Sequence, residues 1–178
     1  MGGFGNMIVL AVDPGTTESA YVLWDNGLRR IAAHGKVSNW EMLEVLTDAC
    51  SPLNTHVTTH ADAFVLEMVA SFGMPVGREV FETVRWIGRY CERWYAYTGR
   101  EPELMYRRGV KLHLCGSARA KDANVRQAVL DQFGGKENAV GKKAKPGVLY
   151  GIKGDCWSAL AVALTYCAQA GVGRKVAG

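Results

Sequence analysis

One short segment near the start of the chain limits the fold more than any other: residues 7–17, which read MIVLAVDPGTT. Its β-favouring apolar residues predict a buried strand, and Asp13 places a carboxylate at the end of that strand. A charge at such a place is costly unless it is paired or binds a metal ion. Pro14 and Gly15 then turn the chain and leave backbone N–H groups free to face an anion. The segment therefore predicts a metal or phosphate site; the alternative is that Asp13 only caps a β-turn.

The composition sets the class of protein. The chain has 178 residues, 48% of them hydrophobic, which suffices for one domain with a substantial core. A net charge of +4 permits a nucleic-acid partner without requiring one. The five cysteines contain no CxxC pair, which is typical of reduced cysteines in a cytoplasmic protein. We expect no signal peptide, no membrane-spanning segment and no membrane partner.

The apolar pattern predicts a mixed α/β sheet of five strands, flanked by helices, in a single domain over residues 7–170. Residues 1–6 are expected to be a flexible leader and residues 171–178 a flexible tail. Asp25, Asn26 and Gly27 predict a hairpin turn, and Ser38 is the expected N-cap of the first helix. Strands are predicted near 7–13, 20–24, 31–37, 63–69 and 104–114. Helices are predicted near 40–50, 78–97, 121–133 and 155–170, with an exposed loop over 136–145.

Three carboxylates stand at comparable places in this pattern. Glu67 lies within the second strand of buried type, and Asp155 begins the last predicted helix. With Asp13 they can converge at one edge of the sheet, where their mutual repulsion favours a divalent cation. Mg²⁺ prefers oxygen ligands, and two such ions can activate a water and stabilise the leaving oxygen of a phosphodiester. The sequence therefore predicts a Mg²⁺ site, with Mn²⁺ as the alternative ion.

These motifs resemble those of RuvC-type Holliday junction resolvases, which belong to the ribonuclease H-like superfamily. The resemblance rests on AVDPG at 11–15, on Leu66 and Glu67, and on Asp155 followed by SALAVALT at 158–165. It extends from Met7 to about residue 170 and is nearest to the phage and prophage branch. It implies a ribonuclease H-like sheet and a metal-dependent endonuclease. It further implies a homodimer that cuts branched DNA, such as a four-way junction, symmetrically.

The resemblance also assigns site residues. Asp13, Glu67 and Asp155 match three acidic metal-binding positions of the family. The family usually has a fourth acidic residue three positions after the third, where this chain has Ser158. A hydroxyl can hold a metal-bound water but brings no charge, so Ser158 is kept as a catalytic candidate. Asp122 is the alternative replacement for the missing carboxylate.

Candidate DNA contacts lie in three regions of the chain. On the long helix, Arg85 and Arg89 share a face beside several aromatic residues; the alternative is a solvated basic face beside core aromatics. Phe72 follows Glu67 at a turn where the family places an apolar wedge; alternatively it anchors the core. Lysines give sequence-independent attraction to phosphates, and the candidates are Lys121, Lys136, Lys142, Lys143, Lys145 and Lys153.

Three other functions remain open at this stage. Residues 13–17 also resemble a phosphate-binding turn of actin-like ATPases, but that architecture needs two domains and a Gly-rich adenosine-binding segment. We therefore expect no nucleotide cofactor. A nuclease that acts on RNA or flap DNA would share the same metal site. A non-catalytic junction-binding protein is favoured by Ser158 and opposed by the three retained acids.

Overall fold

A single mixed sheet organises the protein. The computed structural model describes residues 7–50, 60–71 and 73–176, with side chains up to residue 171. Five strands form the sheet in the order β3-β2-β1-β4-β5. They are β1 (Ile8–Asp13), β2 (Glu18–Asp25), β3 (Arg30–Ser38), β4 (Ala63–Met68) and β5 (Glu103–Tyr106). Strands β1, β2 and β3 pair antiparallel, whereas β4 and β5 run parallel to β1, so the predicted mixed five-stranded sheet is confirmed.

Helices cover both faces of the sheet because the strand residues alternate in direction. In β1, Leu10 and Val12 belong to one buried cluster and Val9 and Ala11 to another. The first cluster is completed by α1 (Asn39–Cys50) and α2 (Arg78–Thr98). The second is completed by α3 (Arg107–Cys115), α4 (Asp122–Gln132), α5 (Lys136–Ala139) and α6 (Cys156–Val176).

The connections near the sheet behave as the sequence predicts. The Leu28 N–H donates to Asp25 Oδ1 at 2.9 Å in the turn between β2 and β3, which confirms the hairpin. At the start of α1, the Glu41 N–H donates to Ser38 Oγ at 3.3 Å, and the Ser38 N–H donates to Glu41 Oε2 at 2.9 Å. This reciprocal pair is a capping box, so Ser38 is confirmed as the N-cap.

The prediction of a strand over 104–114 is wrong beyond Tyr106. The chain turns there into α3, which ends at Gly116 in the left-handed conformation (φ 67°). Val110, Leu112 and Leu114 alternate as in a strand, but Val110 and Leu114 also stand four residues apart, as on a helix. The helix buries Val110, packs Leu114 against the same core and leaves Leu112 exposed.

Two further boundaries differ from the sequence prediction. Residues 136–145 are not a simple loop, because they contain α5 and the start of a small hairpin formed by β6 (Gly141–Lys142) and β7 (Lys145–Pro146). Helix α6 continues past residue 170 to Val176. Glycine lowers helix propensity, but it ends a helix only where the backbone turns left-handed, so Gly171 does not stop α6.

The buried face of α2 carries several of its large aromatic residues. The buried residues are Thr83, Trp86, Ile87, Tyr90 and Trp94, whereas Val84 is exposed. Trp86, Tyr90 and Trp94 therefore belong to the core and not to a base-stacking surface. No helix among the described residues is both long and apolar enough to cross a membrane.

The turn after β1 is held by a small buried polar network. Ser19 Oγ accepts a long hydrogen bond from the Gly15 N–H (3.4 Å) and donates to Asn39 Oδ1 (2.7 Å). The Asn39 amide in turn donates to the Gly15 carbonyl at 3.0 Å, and the Tyr90 hydroxyl lies 3.0 Å from Ser19 Oγ. This network ties the turn that carries Asp13 to both α1 and α2.

Gly15 is the residue of this turn that tolerates no side chain. A Cβ atom there would overlap the carbonyl oxygen of Glu18, which is backbone and cannot rotate away. We expect Gly15→Ala to lower the free energy of unfolding by about 1–3 kcal/mol. Thermal and urea unfolding measure the effect. Gly88→Ala on α2 is the matched control: its Cβ meets nothing within 4 Å, so it should stabilise by about 0.5–1 kcal/mol.

Candidate active site

Parallel pairing of β1 and β4 places two carboxylates beside each other. The register aligns Val12 with Leu66, so Asp13 and Glu67 are the next residues along the two strands. Val65 packs on the α6 side of the sheet, and Glu67, two residues on, faces the same side. Asp13 likewise follows Val9 and Ala11. Both side chains therefore emerge at the end of the central strands beneath α6.

The start of α6 brings the third carboxylate and the hydroxyl. Asp155 directly precedes the helix, and its carbonyl accepts hydrogen bonds from the Ser158 and Ala159 N–H groups at 2.9 and 3.2 Å. Asp13, Glu67, Asp155 and Ser158 line one cleft of about 740 Å³. The structure thus brings all four predicted catalytic residues to one place.

The surroundings of Asp13 in the cleft disfavour its charged form. Burial, together with the neighbouring charges of Glu67 and Asp155, raises the pKa of Asp13 to about 7, against an opposing contribution from Arg107. A hydrogen bond from Ser158 also favours the charged form of Asp13. A cation in the cleft would relieve this repulsion.

Glu67 and Asp122 form ion pairs with basic side chains that the sequence pattern did not predict. Arg107 Nη1 donates to Glu67 Oε1 at 2.7 Å, and its Nη2 lies 3.0 Å from Asp122 Oδ1. Lys111 Nζ is 3.2 Å from the same Asp122 oxygen. Although burial opposes the change, these cations lower the pKa of Asp122. The predicted strand over 104–114 gave no reason to expect Arg107 and Lys111 together, because only a helix brings residues 107 and 111 onto one turn beside α4.

Asp155 has its own cationic partner. Lys36 Nζ on β3 lies 3.0 Å from Asp155 Oδ2 and 3.5 Å from Glu18 Oε2. The hydrogen bond to Asp155 and the charges of both carboxylates raise the pKa of Lys36. The pair is exposed to solvent, so it contributes little to stability.

The donor set fits a divalent cation in kind, since carboxylate oxygens are the ligands that Mg²⁺ prefers. Asp13 shows the repulsion that such an ion would offset. Among the described residues, however, no group of three His, Cys, Asp or Glu side chains is drawn together tightly enough to hold one ion. Glu67 and Asp155 are instead turned toward Arg107 and Lys36.

Asp122, the alternative fourth carboxylate, lines the same cleft. It lies in the first turn of α4, as the sequence predicts, and it forms ion pairs with Arg107 and Lys111. Arg107 bridges Asp122 and Glu67, so it stands between the two carboxylates.

The predicted lysines lie at different distances from the cleft. Lys136 lines it. Lys142 and Lys145 stand on the β6–β7 hairpin with Lys143 between them, and all three are exposed. Lys121 precedes α4, and Lys153 precedes Asp155 by two residues; both are exposed. Phe72 lies outside the described residues.

The predicted arginines of α2 lie in the layer on the other face of the sheet. Arg85 forms an exposed ion pair with Glu82 at 3.4 Å. The Arg89 guanidinium lies over the rings of Trp40 and Trp86, 4.5 and 4.7 Å from their centroids. These contacts tie α1 to α2. A role for either arginine in DNA binding stays a prediction.

The strand order of the mixed sheet and the helices on its two faces are those of a ribonuclease H-like fold. Within that class the chain has the RuvC type of fold. It superposes on a structure of RuvC from Thermus thermophilus with a TM-score of 0.60 and 20% identity, over 94% of this chain and 97% of that one. A structure of the same species' RuvC in complex with Holliday junction substrate gives a TM-score of 0.63 and 20% identity, over 94% and 96%. No protein-family model and no curated sequence matches the chain.

The burial of Asp13, together with repulsion from Glu67 and Asp155, predicts a stability change. Because its pKa is raised from 3.8 to about 7 in the folded protein, holding it ionised costs stability that increases as pH rises through this interval. Without metal, Asp13→Asn should therefore be more stable than wild type above pH 7, by up to about 4 kcal/mol. Melting temperatures in EDTA from pH 4 to pH 8 measure the difference. A difference that does not grow with pH would contradict the prediction.

Proposed function

We propose that the protein is a divalent-metal-dependent endonuclease that cleaves Holliday junctions or other branched DNA. The observation that carries this proposal is the meeting of Asp13, Glu67, Asp155 and Ser158 in one cleft of a RuvC-type sheet. A structure that shares this fold is a RuvC in complex with Holliday junction substrate. The similarity to the phage branch and a cytoplasmic location are parts of the same proposal. The five free cysteines support that location.

The proposed ligands of Mg²⁺, or of Mn²⁺ in its place, are Asp13, Glu67 and Asp155. The ion supplies an activated water and charge stabilisation of the leaving oxygen of the phosphodiester. Ser158 keeps Asp13 ionised and oriented through its hydrogen bond. Arg107 and Lys36 compensate Glu67 and Asp155 in the free protein and must be released for the three carboxylates to converge.

Basic residues around the cleft are the proposed DNA contacts. Lys136 lies in the cleft wall, and the exposed lysines of the β6–β7 hairpin extend from the same part of the chain. Their flexible ammonium groups attract phosphates without reading sequence, so binding should weaken as salt rises. A homodimer completes the proposal, because a four-way junction has two-fold symmetry and a two-fold dimer presents two clefts to it.

Two observations favour a second candidate, a junction-binding protein without activity. The family's fourth carboxylate is replaced by Ser158, and two of the three remaining carboxylates are paired with cations. Cleavage assays distinguish this candidate from the endonuclease. The same assays, run on branched DNA, flap DNA and RNA, show which substrate an active enzyme cleaves.

Replacing Glu67 by Gln tests the endonuclease directly. We expect wild type to introduce paired nicks in a labelled four-way junction with Mg²⁺ and none in EDTA. Glu67→Gln should lower cleavage by at least about 10²-fold, because it removes a charged ligand. It should bind the junction as tightly as wild type in gel-shift titrations, since it removes a negative charge.

Linear duplex, flap DNA and an RNA–DNA hybrid serve as the substrate controls. Glu44→Gln on α1 is a matched variant, because it lies outside the cleft that holds Glu67. Junction binding by wild type without cleavage in either metal would reject the endonuclease in favour of the binding protein. Full cleavage by Glu67→Gln would remove Glu67 from the site.

Ser158→Asp tests the place of the missing carboxylate. Ser158 is hydrogen-bonded to Asp13, so a carboxylate there enters the cleft and increases the repulsion. We expect a lower melting temperature in EDTA, tighter Mg²⁺ binding by about tenfold and cleavage equal to or above that of wild type. Calorimetry and junction cleavage measure these effects. Loss of cleavage with unchanged Mg²⁺ affinity would place residue 158 outside the metal site.

A further inference from the structure

Arg107 lies where β4, α3 and α4 come together. It follows β5 directly, at the first residue of α3, and its guanidinium spans two carboxylates. Nη1 lies 2.7 Å from Glu67 on β4, and Nη2 lies 3.0 Å from Asp122 on α4. Each carboxylate is held by one nitrogen, so neither has the two-point contact that an arginine gives a single anion.

If Arg107 moves away, Asp122 still has a cationic partner, whereas Glu67 does not have one among the described residues. Asp122 is largely exposed and also pairs with Lys111 at 3.2 Å, so it stays compensated. Glu67 is only 8% exposed, and Arg107 is its ion-pair partner among the described residues. A buried carboxylate without a partner is strongly unfavourable. A second cation at Glu67 would therefore favour the release of Arg107.

Arg107 also borders a second cavity with a basic lining, which a phosphate could enter. The arginine lies where the acidic cleft meets a second cavity of about 430 Å³, lined by Arg107, Arg108, Lys111 and Arg119. The Arg107 side chain is 39% exposed, so it can be reached from solvent. A guanidinium can contact two oxygens of one phosphate at once, which its present partners do not offer.

We propose that Arg107 exchanges partners: it pairs with Glu67 in the free protein and contacts a phosphate of the bound DNA once a divalent cation has replaced it at Glu67. This inference rests on the proposed function and makes Arg107 a catalytic residue. It also makes Arg107 a competitor of the cation for Glu67. Release of Arg107, cation binding and DNA binding then favour one another, because coupling between sites is reciprocal.

The first test measures Mg²⁺ binding to the DNA-free protein by calorimetry. Arg107→Gln removes the competing cation, so Mg²⁺ should bind about tenfold more tightly than to wild type, the change expected for losing one charge-assisted hydrogen bond. Arg78→Gln is the matched control. It removes the same charge from an arginine that pairs with Glu82 on the far side of the sheet, and it should leave Mg²⁺ affinity unchanged.

The second test measures single-turnover cleavage of a four-way junction at saturating Mg²⁺ and protein. Arg107→Gln should slow cleavage about 10²-fold, the usual loss for one donor to a developing charge. Arg107→Lys should recover part of the rate, because it restores the charge without the second donor. Arg78→Gln should cleave like wild type. Circular dichroism and melting temperatures establish that each variant is folded. If Arg107→Gln is not, Arg107→Lys carries the cleavage comparison. Its single ammonium cannot span Glu67 and Asp122 together, so it should still raise Mg²⁺ affinity, by a smaller factor.

Two results would overturn the inference: Mg²⁺ affinity that does not rise in Arg107→Gln, or cleavage at the wild-type rate by that variant. Either one reduces Arg107 to a structural ion pair. If wild type cleaves no junction, the proposed function fails by itself. The calorimetric comparison still decides whether Arg107 competes with a cation for Glu67.

Discussion

The parallel pairing of β1 and β4 is the constraint on which the site depends. It sets two carboxylates side by side at the end of a buried sheet, where Glu67 is 8% exposed and the pKa of Asp13 rises to about 7. Such a pair is unfavourable in a folded protein unless positive charge is near. Arg107 supplies part of that charge to Glu67, whereas the charged form of Asp13 is favoured by the attraction of Arg107 and a hydrogen bond from Ser158. The positive charge near Asp13 and Glu67 therefore does not fully offset their negative charge, and this deficit is the physical argument for a cation in the cleft.

The carboxylates were predictable because each one breaks a strong local pattern. A charge that ends the apolar run of β1, and another inside the apolar run of β4, stand out from sequence alone. Their adjacency follows from topology, since consecutive buried strands separated by a helix usually pair in parallel. The last helix was equally clear from its small apolar residues, although its end was not, because Gly171 lies within a helix that continues.

The cations were not predictable, because their partners are distant in the chain. Arg107 and Glu67 are separated by 40 residues, and their contact depends on the chain turning into a helix after Tyr106. The pattern of Val110, Leu112 and Leu114 fits a strand as well as a helix, and only the packing of Leu114 on the core decides it. Arg89 shows the same limit: an arginine among aromatics can be a DNA contact or a packed residue. Here Trp40 from α1 and Trp86 from α2 both contact the Arg89 guanidinium.

The charges of the site give a consistent account of its departures from the four-acid pattern that the resemblance implies. Ser158 removes one negative charge from the cleft, and Arg107 places a positive charge against Glu67. Both changes reduce repulsion in the metal-free protein, and both also reduce the attraction that would draw a divalent cation in. A site arranged in this way should be more stable when empty and should load its cation less readily than one with four acids. Substrate phosphates can restore the missing negative charge, because Mg²⁺ is often bound by few carboxylates together with phosphate oxygens. Bound DNA would then favour loading, and the ion pairs of Glu67 and Asp155 would give way as cation and DNA bind together.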